Sequence, residues 1–569
     1  MTNAKAGASS ARTGDELVFT ALGGLGEIGM NVYLYGLGPP EARQWLMVDL
    51  GVTFPGESEP GVDVVLPDVR FFTQKRASLA GILITHAHED HIGAVIDLWP
   101  RLKAPIYCTP FTAGMLESKL AEQGGRLKLP VHRKALGSRF QVGPFDLELV
   151  TMAHSIPEPS GVVIRTPHGM VFHTGDWKLD PTPIVGAPTD EARLKALGDE
   201  GVTALICDST NAFREGVSPS ESEVSKSLAE IIKRAKRRVA VTTFASNVAR
   251  LRAVADATRA AGRRLVVVGR AMHRVIQVAI DTGYLPEDFT YLDQDRFADL
   301  AAHDVVALCT GSQGEPRAAL ARIAESQHPN VAMGQGDLVI FSSRTIPGNE
   351  KAVNRIQNNL ARLGCEIMTD ADGLVHVTGH PRRGELRQLY GWLRPAIAVP
   401  MHGEMRHLKA HGELARALGV ADIRTMSNGE VARIAPGPSL LVGEVPVGRI
   451  FRDGRLIVDD NDGPVRERRK LAHVGVVMVA LVLSRRGELV GDPDCEIDGV
   501  PYETTDGYAM EDVVLDAVEG TLKSIPGQRR KDVEMVREAV RRGVRAAVDQ
   551  VWGKKPIVKV LITQLDSKG

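Results

Sequence analysis

Residues 85–94 read THAHEDHIGA, and no other stretch of the chain concentrates so much chemistry in so little sequence. Four side chains able to hold a metal, His86, His88, Asp90 and His91, fall within six positions, in a chain with only 16 histidines. The apolar run at 81–85 has the length and composition of a short buried strand. In extended backbone alternate side chains share a face, so His86 and His88 can address one ion. Asp90 and His91 are adjacent, and the turn that follows can present them to a second ion. Residues 93–102 (GAVIDLWPRL) then read as a helix. Short strands at 141–151, 161–165 and 171–174 follow, so strands and helices mix as in a layered α/β or α+β domain. Imidazole and carboxylate donors suit borderline divalent ions, and two such ions side by side suit hydrolysis of phosphate esters or amides.

Three further candidates each follow an apolar stretch. His154 stands in TMAHSIPEPS, Asp176 in FHTGDWKLD and His402 in PMHGE. Strand ends of this kind are expected to converge on one sheet edge. Two ions need about seven or eight protein ligands between them. His86, His88 and His154 are assigned to one ion and Asp90, His91 and His402 to the other, with Asp176 bridging. Asp176 and His402 are 226 residues apart, which no loop spans. The interval alternates helices (221–237, 248–261, 350–363) with strands (239–243, 265–269, 305–309, 338–342), as a parallel sheet requires. A second domain is therefore read as inserted between two halves of the metal-binding domain, with substrate in the cleft between them.

The rest of the chain is less specific. Residues 17–49 read as strand, Gly-rich turn, strand. The turn holds Gly24, Gly26 and Gly29 in a formal GxGxxG, but strand-like NVYLY follows where a dinucleotide site needs a helix. Residues 459–470 (DDNDGPVRERRK) read as a solvated linker, Arg466, Arg468 and Arg469 included. Beyond it lie a hairpin (474–483 with 488–490), helices at 510–524 and 531–551 and a last strand at 557–563. A length of 569 residues exceeds what one core supports. The net charge of −1 removes bulk electrostatics as an argument for nucleic-acid binding. Five scattered cysteines without a CxxC pair suit a reducing cytosol. The small polar residues 1–14 are expected to be disordered and lack a signal-peptide core. The apolar run 474–483 is too short for a membrane span, so a cytoplasmic protein with no membrane association is expected.

The motif order resembles the metallo-β-lactamase superfamily: the HxHxDH cluster, then His154, Asp176 and His402, with Asp49 in MVDLG ending an early strand. The insertion is similar to that of the β-CASP nucleases. CDSTNA (207–212), FASNVAR (244–250), TGSQGEP (310–316), IPGNE (346–350), HVTGH (376–380) and MHGE (401–404) resemble the bacterial ribonuclease J family, over nearly all of 17–452. The resemblance implies an α/β protein with a four-layer αββα metallo-β-lactamase domain over 15–218 and 370–452. A parallel-sheet β-CASP domain would occupy 219–369, a linker 453–472 and a small α+β C-terminal domain 473–569.

It also implies roles. Asp49 would support the ligands from behind. Asp208 and His380 would handle proton transfer to the leaving 3′ oxygen. Ala245, Ser246 and Asn247, with His376, Val377, Thr378, Gly379 and His380, would hold substrate phosphate, for which small donors and glycine-flanked N–H groups are suited. Ser246 and Asn247 equally read as the N-cap of the next helix, and a helix start is itself an anion site. After His380 the sequence departs from the family's small polar run and reads PRRGE. Arg382 and Arg383 are thus either phosphate contacts or solvated arginines.

The implied activity is a metal-dependent ribonuclease, 5′→3′ exonucleolytic on single-stranded 5′-monophosphorylated RNA and also endonucleolytic, acting in RNA maturation and mRNA decay. Two divalent ions per subunit are expected, zinc first, with manganese or magnesium also compatible. A homodimer or homotetramer and an RNA-degradation complex are the expected assemblies. Rivals are a small-molecule hydrolase such as a thioesterase or lactamase, a non-catalytic binding scaffold that keeps metal for stability, and a DNA-processing relative. The long insertion and the phosphate-loop motifs disfavour the first.

Overall fold

Strands that are apolar on both faces need cover on both faces. In a computed structural model describing residues 14–73, 75–346, 348–459 and 463–565, Glu16–Gly23 is such a strand, buried along nearly its whole length. The expectation for residues 1–14 concerns, save for Gly14, residues outside those described. Glu16–Gly23 lies inside an eight-stranded sheet, with Glu430–Ala435 and then Leu440–Glu444 on one side and, on the other, Val32–Gly38, Gln44–Val48, Leu79–Leu83, Ile106–Cys108 and Val131–Arg133. A second sheet of seven strands runs Asp422–Ile423, Ile397–Met401, Ala204–Asp208, Gly169–His173, Ser160–Thr166, Phe145–Thr151, Arg139–Val142. The stretch 17–49 thus gives this sheet three strands rather than two, and its two-residue strand Leu25–Gly26 pairs instead with Gly403–Glu404.

Alternation along each strand divides the side chains between two cores. Leu17, Phe19 and Tyr35 of the first sheet meet Leu147, Leu149, Ile164 and Ile206 of the second, and all are buried. On the outer face of the second sheet Leu205 and Cys207 pack under Leu194, Leu389, Leu393 and Leu414 of three helices. The helices that follow strands of the first sheet, Val95–Leu102 and Pro110–Glu122, bury Leu98, Leu102, Phe111 and Leu116. The layers are αββα.

The alternating block forms a separate six-stranded sheet, ordered Leu292–Asp293, Arg264–Val268, Val305–Cys309, Val239–Thr242, Leu338–Phe341, Glu366–Met368, and every pair is parallel. Its first helix, Glu221–Arg234, starts at a capping box of Ser220 and Glu223. The insertion leaves from Ala204–Asp208 and returns to Ile397–Met401. These two strands are neighbours, paired in parallel with Asp208 opposite Met401. Asp176 and His402, 226 residues apart, therefore follow strands separated in the sheet only by Ala204–Asp208.

Residues 14–53 and 65–449 form one compact unit, and residues 54–64 with 450–565 another. In the second unit the described residues of the expected linker, 453–459 and 463–472, are ordered structure, and 460–462 lie outside those described. Leu456–Asp459 pairs with Arg449–Asp453, and Gly463–Val474 is a helix. Charged Arg, Glu and Lys are good helix formers, and this helix buries one side chain. Val465 is that residue, and Arg468 Nη2 donates to Asp453 Oδ2 at 2.6 Å. The expected partner strand at 488–490 makes only an isolated bridge, Leu489 to Leu483. The antiparallel partner of Val476–Leu483 is Asp494–Asp498, and Ile557–Gln564 pairs on its other side in parallel. Val477, Val479, Leu481 and Leu483 face Val514, Val518, Val536, Val540, Val544 and Val548 of two helices. The four-residue spacing on the last helix keeps one apolar stripe on the sheet. Leu481→Ala should lower the stability of this unit by about 2–5 kcal/mol, read as an earlier midpoint in a urea titration.

Candidate metal centre

All seven expected ligands stand at or just past the C-terminal ends of strands, but from both sheets rather than one. His86, His88, Asp90 and His91 follow Leu79–Leu83 of the first sheet. His154, Asp176 and His402 follow Phe145–Thr151, Gly169–His173 and Ile397–Met401 of the second. Twisted sheets packed face to face bring these ends together at one rim. Two residues there, Asp49 (φ 64°) and His402 (φ 50°), hold left-handed backbone, which a side chain adopts only when its surroundings impose it.

Two donor sets result. His86 Nε2, His88 Nδ1, His154 Nε2 and an Asp176 oxygen lie within 4.8 Å of one another, as do donors of Asp90, His91, Asp176 and His402. In the first set His88 Nδ1 is 3.1 Å from both His86 Nε2 and His154 Nε2. In the second His402 Nε2 is 3.1 Å from Asp90 Oδ2, and His91 Nε2 is 3.2 Å from Asp176 Oδ2. Asp176 serves both sets: Oδ2 is 3.7 Å from His154 Nε2 and Oδ1 is 3.6 Å from His402 Nε2.

In four of these five imidazoles the opposite nitrogen is held from behind, which fixes ring and tautomer. His91 Nδ1 donates to Asp49 Oδ2 at 2.7 Å, and His154 Nδ1 donates to the Gly379 carbonyl at 2.6 Å. His402 Nδ1 is 2.7 Å from Thr210 Oγ1, and His86 Nδ1 is 3.0 Å from Thr85 Oγ1. Asp49 is fixed in turn by the Thr85 N–H (2.8 Å) and hydroxyl. Asp49→Asn should weaken metal affinity about 10–100-fold, measured by competition with a chromogenic chelator.

These residues fit a pair of cations. Asp176 Oδ1 is buried without a hydrogen-bond partner, a lone pair left for another acceptor of electrons. Burial keeps His88 neutral, lowering it to about 4, and pushes His86 and His154 down as well, so their facing nitrogens carry lone pairs. Burial opposes charge on His402 too, but Asp176, Asp90 and Asp208 lift it to about 9. Burial also opposes ionisation of Asp176 and Asp90, yet the imidazoles of His402 and His91 hold both well below the usual carboxylate range. This concentration of buried carboxylate calls for positive charge, and bound cations supply it with loss of the imidazole protons.

Asp208, His380 and His402 also converge, but their atoms are engaged with one another. His380 Nδ1 donates to Asp208 Oδ2 at 2.7 Å, and Asp208 Oδ1 accepts from the Thr210 N–H and hydroxyl, each at 2.8 Å. The His380 ring is stacked on that of His402, centroids 5.2 Å apart.

Among the expected phosphate-holding residues the structure separates kinds. Asn247 caps Val248–Ala260, its Oδ1 accepting from the Arg250 N–H at 3.0 Å. Ala245 and Ser246 precede it half-buried. Val377 is buried, so only its backbone can meet a ligand. Thr378 Oγ1 accepts from Asn211 Nδ2 (2.8 Å) and from the His380 N–H (3.2 Å). A Cβ on Gly379 would lie 2.5 Å from His154 Cε1, so glycine is needed for that ligand to approach. His376 Nδ1 is buried without a partner, and burial brings its imidazole to about 3.

Several supporting residues carry no motif of their own. Asn31 Nδ2 reaches Asp90 Oδ2 (3.2 Å) and His91 Nε2 (3.0 Å), and its Oδ1 accepts from the Tyr33 hydroxyl at 2.8 Å. The Gly-rich turn is part of this support. The Gly24 carbonyl accepts from the His402 N–H at 2.9 Å, and a side chain at Gly24 would strike Tyr33 and Asn31. The only hint in sequence is the position of Asn31, at the head of the strand-like NVYLY that follows the Gly-rich turn.

A two-sheet sandwich with two donor sets at one rim, interrupted by a parallel-sheet insertion, is a metallo-β-lactamase-type hydrolase of β-CASP organisation. Family models agree with each part: "Beta-lactamase superfamily domain" over residues 59–194, "Ribonuclease J, beta-CASP domain" over 236–360, "Zn-dependent metallo-hydrolase RNA specificity domain" over 367–426 and "Ribonuclease J C-terminal domain" over 463–565. A Ribonuclease J of Sinorhizobium meliloti is 54% identical over 551 residues, 97% of this chain and 98% of that one. Those of Corynebacterium glutamicum (38%, covering 95% and 74%) and Thermus thermophilus (36%, covering 97% and 96%) are also similar. The chain belongs to the ribonuclease J family. Membership carries a coarse assignment with it, a metal-dependent hydrolase that cleaves RNA. No helix among the described residues is long and apolar enough to cross a membrane.

Proposed function

We propose that this protein is a two-metal RNA phosphodiesterase that removes nucleotides 5′→3′ from 5′-monophosphorylated single-stranded RNA and also cuts internally. The observation that carries this reading is the pair of donor sets joined by Asp176, with His380 beside them on Asp208. When bound, two divalent ions, zinc first among those the donors admit, would activate water and offset charge on the scissile phosphate.

The chain's own groups account for the rest. His380 is held through Nδ1 by Asp208, which leaves Nε2 to deliver a proton to the leaving 3′ oxygen. Burial opposes its charged form, but Asp208 and Asp176 raise its pKa above that of a free imidazole, which favours the protonated form. Ser246 and the start of Val248–Ala260, with neutral His376 and the 376–380 backbone, supply donors for a terminal phosphate. A phosphate held there, at a fixed distance from Asp176, sets the exonucleolytic step to one nucleotide. We assign the protein to RNA maturation and mRNA decay in the cytoplasm, where an RNA-degradation complex is its natural setting.

Matched RNAs bearing 5′-monophosphate or 5′-triphosphate, and DNA of the same sequence, test this reading in the presence of zinc or manganese. Mononucleotide release from the monophosphorylated RNA is expected. Cleavage of none of the three would point to a metal-stabilised scaffold, and preference for DNA to a DNA-processing enzyme. A homodimer or homotetramer is expected in solution, and a monomeric mass by light scattering would refute that part.

A further inference from the structure

The loop that follows Asp208 carries two side chains unused by the chemistry above. Phe213, five residues beyond Asp208, is 50% exposed. Its ring stacks on His407, with centroids 5.1 Å apart and planes 18° apart. His407 lies in the first turn of Met405–Ala417, just past His402, and is itself fixed by the Glu404 N–H, which donates to Nδ1 at 3.1 Å. The aromatic surface is thus held in place beside the centre rather than free to swing. The Arg214 guanidinium lies 5.4 Å from the Phe213 centroid. It is half-buried, its Nε has no hydrogen-bond partner, and among the described residues no carboxylate pairs with it.

The loop is registered against the segment that carries His380. Asn211 Nδ2 donates to Thr378 Oγ1 at 2.8 Å and to the His380 carbonyl at 3.2 Å, and the Arg214 carbonyl accepts from the Arg383 N–H at 2.9 Å. The two arginines of PRRGE then part company. Arg383 is committed to structure: Nε meets Glu215 at 2.6 Å and Nη1 donates to the Ala212 carbonyl at 3.2 Å. The Arg382 N–H donates to Glu385 at 2.8 Å, but its guanidinium makes only one hydrogen bond, 3.3 Å to the Val217 carbonyl, and its Nε is buried without a partner. Burial, then the charges of Arg344 and Arg382, depress the pKa of Arg214, opposed only in part by Asp370, which pairs with Arg344 at 3.4 Å. Cations gathered in this way are relieved by an anion among them.

We infer that Phe213, Arg214 and Arg382 form a nucleotide subsite, in which an unpaired base stacks on the Phe213 ring and the adjoining phosphate is held by the two guanidinium groups. This inference rests on the reading that the neighbouring centre cleaves RNA. An aromatic face accepts any base, and an arginine at its edge strengthens the stack, so the subsite is indifferent to sequence. It requires a base free of a complementary strand, which selects single-stranded RNA at the point where the chain passes the centre.

The test is equilibrium binding by fluorescence anisotropy. It uses metal-loaded, full-length protein and a 5′-monophosphorylated oligoribonucleotide with hydrolysis-resistant phosphorothioate links. Phe213→Ala should weaken binding about ten-fold or more, whereas Phe213→Tyr should stay within about two-fold of the parent. A single abasic nucleotide moved along the RNA should weaken binding by the parent protein at one position and leave Phe213→Ala indifferent there. Arg214→Gln and Arg382→Gln should each reduce the slope of log affinity against log salt by about 0.7. Parental affinity in Phe213→Ala, full affinity in Phe213→Leu, or equal abasic penalties in both proteins at every position would overturn the subsite. Failure of the parent protein to cleave unmodified RNA would overturn the nuclease reading instead, and the binding comparison would still decide whether a base stacks on Phe213.

Discussion

Asp176→Ala is expected to abolish RNA cleavage, by roughly a thousand-fold or more, while the protein stays folded. Asp176 alone contributes to both donor sets, so its removal deprives each of a ligand. His86→Ala touches only the first set. The two variants therefore differ in metal content as well as in rate. By mass spectrometry of dialysed protein, His86→Ala should lose one ion per chain and Asp176→Ala both. Asp176 is buried beneath the histidines, so circular dichroism should accompany the measurement to show that the strands survive. Full activity in either variant would remove the metal reading.

The second large effect concerns the proton. His380→Ala should lower kcat by about 10²–10⁴-fold and leave metal content unchanged, because His380 is outside both four-donor sets. The pH profile carries the sign. Asp208 and Asp176 raise the pKa of His380 against the effect of burial, and in the proposed mechanism the acid form is the working form. Activity is therefore retained below that pKa and lost as pH rises through it. Asp208→Asn removes a raising charge and should move the alkaline limb to lower pH. A limb unmoved by Asp208→Asn and still present in His380→Ala would assign the proton to another group.

The parts of the site legible in sequence are those whose spacing is local or whose surroundings repeat a recognisable motif. His86, His88, Asp90 and His91 lie within one strand end and turn, and periodicity alone places them together. The insertion was legible because its helix and strand periods alternate over a long interval. The supports were not legible. Asn31 and Thr210 reach the ligands across the sandwich or from beside a neighbouring strand, and nothing in an Asn or Thr announces such a contact. The charge-rich residues 459–470 read as a linker because composition reports solvent exposure, which a helix seated by Val465 alone shares. Residues 54–64 join the C-terminal unit through contacts such as the Asp63 N–H to the Arg452 carbonyl at 3.0 Å, and sequence order cannot show this.

The parallel pairing of Ala204–Asp208 with Ile397–Met401 has a consequence for synthesis. A growing chain presents His86, His88, His154 and Asp176 early, but His402 is delivered only by the returning strand, after the whole insertion has left the ribosome. Until then the second donor set lacks His402, and Asp208 has no His380 to hold. The centre is thus incomplete until the chain has been made past His402, and the order of its strands sets the earliest moment at which the enzyme can act.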